Sequence, residues 1–296
     1  MQVIQPIPFV TSMLISSNAT ELYPTWAAGT TYAKDAFVDY QTHIYQSLVN
    51  SNTGNVPSTS PTQWVLVGPD NTHAMFDSEV QTQTTRTTPL NITVAPGQVF
   101  NSLAVMNVDA EDLTISIRDG AGGPIVYTRT IDLDDTPILD WYMYFFEPYD
   151  FRTDVVLTDL PSYSNGRIEL SVSKTTGTVK VGLLTFGNIY TIGKVLQGAP
   201  VGIRDYSVKE TDQFGNTTFV QRAFSKRMEP SVFMDNERLN FIFKLLSELR
   251  ATPAVWIGST NSTYSPLAML GFYRDFNIDI AYPDYSLVRL EIEGLS

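Results

Sequence analysis

The side chains able to do chemistry are few. The chain has two histidines, His43 and His73, and no cysteine, which removes thiolate nucleophiles, disulfides and cysteine-based zinc sites. A nucleophilic triad would have to use one of these imidazoles, and no Gly-x-Ser-x-Gly elbow accompanies them. His43 falls in a turn and His73 in a connecting segment, positions that suit local hydrogen bonding better than catalysis. Carboxylates gather at Asp109-Ala110-Glu111-Asp112 and at Asp132, Asp134 and Asp135. Calcium wants several oxygen ligands, but neither group has EF-hand spacing, so solvated acidic loops are the preferred reading. A glycosidase pair need only converge in space, and the spacing offers nothing in favour of one. Gly182, Gly187, Gly193, Gly198 and Gly202 lack both the phosphate-loop and the dinucleotide-binding patterns. The chain therefore reads as a non-enzyme, with no cofactor and no metal expected.

Aromatic rings are the other resource. From Tyr23 to Trp64 the chain carries Tyr23, Trp26, Tyr32, Phe37, Tyr40, Tyr45 and Trp64, spaced by turn residues and few aliphatic ones. A second run, Trp141-Tyr142-Met143-Tyr144-Phe145-Phe146-Glu147-Pro148-Tyr149, is denser. If extended, it puts large rings on both faces of one strand: one face buried, the other against a domain, a subunit or a ligand. A protein contact is preferred there to a sugar platform.

The elements that must hold these rings are mostly strands. The chain has 296 residues, 43% hydrophobic and 12% aromatic, which allows two or three domains with real cores. A charged fraction of 17% leaves Thr, Ser, Asn and Gln to cover the surface, as in β-rich proteins. The net charge of −12, with no basic stripe, argues against nucleic acid. No apolar run reaches the length of a membrane span and no secretory leader is evident, so assembly in a cytoplasm without membrane insertion is expected.

Four parts are expected: an N-terminal arm over 1–20, an aromatic module over 21–69, a β-sandwich or jelly roll over 70–187, and an α+β part over 188–296. In the first, Pro6 and Pro8 limit the segment to an edge strand or an arm lying on a neighbour. In the third, period-two alternation marks strands at 90–94, 113–117 and 168–172. The glycines of 119–123 predict one hairpin, and Thr175-Thr176-Gly177 a second. In the last, Leu239, Ile242, Leu246 and Leu249 make one helical face. Asp235 is placed to cap that helix and Pro253 to end it, giving one clear helix over about 236–250. The fold class is mainly β and multidomain.

The ladder over 23–69 resembles the small chitin-binding modules of carbohydrate-binding families 5 and 12, with Trp26, Tyr32, Tyr40, Tyr45 and Trp64 matching by type and spacing. The resemblance implies a three-stranded module with Tyr32, Tyr40 and Tyr45 in its core. It leaves Tyr23, Trp26 and, more weakly, Trp64 as rings that could stack on a sugar. The tandem aromatics usual after the Tyr45 position are absent, since Gln46-Ser47-Leu48-Val49-Asn50 stands there, so an adaptor without ligand is an equal alternative.

A longer, more diffuse pattern is similar to virion proteins of tailed bacteriophages. It includes Asn71-Thr72-His73-Ala74-Met75-Phe76-Asp77, 202–209, Asp212-Gln213-Phe214-Gly215, 249–257 and 270–276. This resemblance implies a structural component of a tail tip, baseplate or collar, located in the virion tail. Its partners would be other tail or baseplate proteins and copies of itself in a ring. Host-surface glycan binding is the alternative, and an accessory role in a glycoside hydrolase is less favoured. The contacts are expected at Trp141, Tyr142, Tyr144, Phe145, Phe146, Tyr206 and Phe214.

Overall fold

A computed structural model describes residues 1–296 apart from Asp212, Thr260, Asn261, Ala281 and Ser296. Asp212 opens one of the stretches used above, so that position lies outside the described residues. The chain begins with β1 (Gln2–Pro6) and β2 (Leu14–Ser17). The aromatic module holds β3 (Thr31–Tyr32), β4 (Phe37–Tyr40), β5 (His43–Ser47), β6 (Asn52–Thr53) and β7 (Trp64–Pro69). Next come β8 (Thr84–Thr87), β9 (Leu90–Val94), β10 (Ser102–Asp109), β11 (Asp112–Asp119) and β12 (Ile125–Asp132). A short helix, α1 (Trp141–Phe146), precedes β13 (Val155–Leu157), β14 (Gly166–Ser173) and β15 (Thr178–Thr191). The last third has β16 (Lys194–Val195), β17 (Val201–Asp205), β18 (Val208–Thr211), β19 (Thr217–Val220), β20 (Phe224–Met228) and β21 (Ser231–Asp235). It closes with α2 (Leu239–Glu248), β22 (Ala254–Ile257), β23 (Ala268–Asp279) and β24 (Tyr285–Gly294). The protein is mainly β, with several sheets and one clear helix, α2.

In the module, β4, β5 and β7 form an antiparallel three-stranded sheet beside the small β3–β6 pair. Two residues join β4 to β5, and Gln41 takes a positive φ of 61° to close that tight turn. Tyr32, Val38 and Trp64 are buried together, with Trp26, Ala36 and Tyr45 packed against them.

The sandwich packs a five-stranded sheet, in the order β12-β11-β14-β9-β2, against β10, β13 and β15 of a larger sheet. Inward residues alternate as the sequence indicates: Ile168, Leu170 and Val172 on β14, Leu113, Ile115 and Ile117 on β11. The glycine loop after Asp119 does join a hairpin, β11 to β12. The turn over 175–177 does not. β14 pairs with β9 and β11, whereas β15 pairs with β1, β8 and β10, so the chain arches there from one sheet to the other. Both strands turn the same apolar period toward one core from opposite sides, which local turn chemistry does not distinguish from a hairpin.

The large sheet has twelve strands, and its main path runs β13-β10-β15-β1-β22-β23-β24-β20-β17. β1 is neither an arm nor an edge. It lies between β15 and β22, antiparallel to both. Pro6 and Pro8 permit this because β22 pairs only with Gln2, Val3 and Ile4, ahead of the prolines. Val3 and Ile4 point to opposite faces and both are fully buried, as in a strand covered on two sides. The expected boundary at 187 likewise falls inside β15, which runs on to Thr191 and carries sandwich and C-terminal halves on one strand.

In the C-terminal half, Ile242, Leu245 and Leu246 of α2 pack with Val3, Trp256, Val288 and Ile292. Asp235 makes no capping bond, because a 3-10 turn over Asn236–Arg238 separates it from the helix. β19 and β20 are separate strands, divided by residues 221–223.

Candidate interaction surfaces

Trp141–Tyr149 is not a buried strand. Asp140 accepts a hydrogen bond at 2.8 Å from the Met143 N–H and starts α1, which ends by Glu147 ahead of Pro148. Six consecutive large apolar residues make a helix apolar on every side, and the body covers none of its rings. Leu139, Trp141, Tyr142, Tyr144, Phe145, Phe146 and Tyr149 are exposed to between 59% (Tyr144) and 82% (Leu139). The rings pack on one another instead: Tyr142 lies 5.0 Å from Phe146, and Tyr144 5.0 Å from Phe145.

The neck of this projection is firmly tied. Asp134 bridges Phe151, the Arg152 N–H donates to the Leu133 carbonyl at 2.7 Å, and the Asp135 N–H to that of Asp150 at 2.8 Å. Arg152 meets Asp135 at 2.9 Å, and Leu133 is buried in the sandwich core. The acidic run 132–135 thus builds turns: Asp132 accepts from the Asp134 N–H at 2.9 Å and Asp134 from the Thr136 N–H at 3.0 Å. Hydrogen bonds from Thr136 hold the Asp134 carboxyl below the usual range. The other acidic run is also engaged, with Asp109 2.7 Å from Lys174 Nζ and Glu111 accepting from the Thr175 N–H at 2.8 Å.

A second projection is the two-stranded ribbon β18–β19, which is separate from the large sheet. Phe214 at its turn is 86% exposed, and Phe219 is exposed too. Tyr206, at the ribbon's base, is half tethered through its hydroxyl, 3.3 Å from Ser225 Oγ and 3.2 Å from Glu293. A third surface went unnoticed in the sequence: Val65, Leu66 and Val67 on β7, the edge strand of the module, are exposed.

The expected sugar-stacking rings do not form one platform. Trp64 is buried, and its Nε1–H donates to the Asn55 carbonyl at 2.9 Å, so it belongs to the core. Trp26 is half-buried, edge-on to Tyr40 at 5.4 Å, with Tyr40 in turn near Tyr45. Tyr23 alone of the three is exposed, stacked on Phe37 at 5.0 Å.

Both histidines make local bonds: His43 Nδ1 is 2.9 Å from Thr42 Oγ1, and His73 Nδ1 is 2.6 Å from Asp70 Oδ1. Asp70 belongs to a group that sequence spacing did not indicate. One oxygen from each of Glu21, Asp39 and Asp70 lies within 4.8 Å of the others, and Asp39 and Asp70 are buried. Burial first, then Glu21 and Asp70, push the Asp39 carboxyl up to about 6, with His73 pulling the other way. The folded chain therefore keeps this proton where the unfolded chain, near 3.9, has lost it. Stability from this group is present below about pH 4 and is lost as pH rises through about 6. Asp39→Asn should remove that loss; urea unfolding of both proteins in chelator at pH 4.5 and 7.5 measures it.

A cleft of about 930 Å³ is lined by Gln2, Thr191, Lys194, Leu196, Tyr264 and Leu267 among others. Its described lining includes no carboxylate or imidazole. No family model matches the chain, and no curated protein sequence matches it either.

Proposed function

We propose that this protein is a structural, non-enzymatic subunit of a tailed-phage virion, in the tail tip, baseplate or collar, assembled through protein contacts. The observation that carries the reading is the tied neck bearing a helix with apolar rings on all sides. A helix of that composition is stable in water only when something covers it. Each large ring can bury about 150–250 Å², so five approach the roughly 800 Å² that each partner gives to a standard interface. Repetition around a symmetry axis would multiply that contact. The phage-virion resemblance supplies the kind of assembly. The test is light scattering on the purified chain over a concentration series, together with probing tail particles for it. Concentration-dependent oligomers or stable incorporation are expected; a strict monomer absent from particles would refute the idea.

A second reading, attachment to host-surface glycans, is favoured by the exposed Tyr23 ring stacked on Phe37 at the module surface. Weak single sites would gain from many copies. Tyr23→Ala should then abolish glycan-array signal from an oligomer while costing under about 1 kcal/mol of stability. An array blank for the unmodified oligomer would end this reading.

A further inference from the structure

We propose that Glu21, Asp39 and Asp70 form a binding site for a hard divalent cation of the calcium class, placed where the aromatic module joins the body. Among the described residues, this is the one place where three side chains able to ligate a metal converge. Clustered carboxylates alone would mean little. The second observation is the state of Asp39, which is 8% exposed on β4, with its Oδ1 fully enclosed and lacking any hydrogen-bond partner. A buried carboxylate oxygen without a donor is costly, and a cation is the partner that would relieve it.

The surroundings hold the other two carboxylates in place. Glu21 accepts the Asn71 N–H at 2.9 Å and the Thr72 hydroxyl. Asp70 accepts the His73 N–H at 2.8 Å through Oδ1, the same atom that meets the His73 ring. These bonds orient the carboxylates as outer partners orient ligands in metal sites.

The donor chemistry selects the ion class. All three groups offer oxygen, which favours calcium, magnesium or manganese over zinc or copper. Two oxygens bound to one calcium at about 2.4 Å lie no more than about 4.8 Å apart, a bound that each pair of these oxygens meets. Backbone carbonyls and water would complete the six to eight positions that calcium takes.

The location gives such an ion a role. Glu21 lies where the chain enters the module, Asp70 where it leaves, and Asp39 on the strand between. A bound cation would fasten both crossings to β4 and fix the module on the body.

The test uses the full chain stripped with a chelating resin and titrated with calcium chloride, followed by calorimetry and by thermal melting. Saturable binding and a raised melting temperature are expected. Asp39→Asn should weaken binding on the order of tenfold or more while melting no lower than the parent in chelator. Glu21→Gln changes an exposed side chain, keeps an acceptor for Asn71, and should also weaken binding. The proposal is overturned if the melt is indifferent to millimolar calcium, or if both variants respond as the parent does.

Discussion

Replacing Trp141, Phe145 and Phe146 together with alanine is expected to weaken the proposed assembly roughly a hundredfold while leaving the fold intact. These rings touch mainly other rings of the same short helix and are at least two-thirds exposed, so stability should change by no more than about 0.5 kcal/mol. Their loss at an interface is another matter. Buried aromatic anchors commonly cost 2 kcal/mol or more each on truncation, and the losses are not additive. About 3 kcal/mol for the three together is a moderate expectation, a weakening of roughly a hundredfold. Sedimentation analysis of parent and variant, with urea unfolding of both, separates the two quantities. Undiminished assembly would remove the projection from the contact. A large stability loss would instead make its rings part of the fold.

The second large effect is expected at β1. Ile4→Ala should cost about 3–4 kcal/mol, toward the upper part of the range for buried aliphatic truncations. Ile4 is fully buried against Ala104, Met106, Leu183, Val255, Ile257 and Leu270, which come from strands on both sides of β1. Walls carried by so many paired strands collapse poorly onto a cavity. The loss should also be shared. Val3 belongs to the C-terminal core, and Ile7, just beyond the strand, to the sandwich core. Hydrogen exchange on β14 and on α2 should therefore accelerate together. Acceleration confined to one half would mean that the halves unfold independently. Gly187→Ala attacks the same seam from β15, since an added Cβ would sit 2.0 Å from the Gln5 carbonyl oxygen.

What could be read from the sequence was whatever a periodic or local rule encodes. The alternation of β11 and β14, the glycine hairpin and the face of α2 all follow from side-chain period and turn chemistry. The core residues of the aromatic module were implied only by the family resemblance; of those three, Tyr32 and Tyr45 lie in the core cluster while Tyr40 does not. β1 escaped because five residues beside two prolines do not reveal that their neighbours lie about 185 residues away on one side and about 250 on the other. The aromatic run misled in the other direction: its composition matches a buried strand, while Asp140 and Pro148 are well placed to start and stop a helical turn. Trp64 lies in the core and not on a sugar-facing surface; type and spacing do not say which side of a small sheet a ring occupies. The carboxylate group at Glu21, Asp39 and Asp70 has no sequence spacing to detect; the fold alone brings it together. The sheet that β1 completes is the clearest case of tertiary context deciding the outcome.

The two crossings into the aromatic module have a consequence for how such a protein can vary. Asn71 donates to the Thr20 carbonyl at 2.8 Å and exchanges bonds with Thr85 of β8, so the chain re-enters the body beside the point where it left. Everything from about residue 21 to 70 is thus a cassette spliced into a short connection between β2 and β8. A lineage, or an engineer, could exchange or delete that cassette by joining two chain ends that the Asn71 side chain already links. The twelve-stranded frame and its aromatic projection would remain as they are, and only the module carried on them would change.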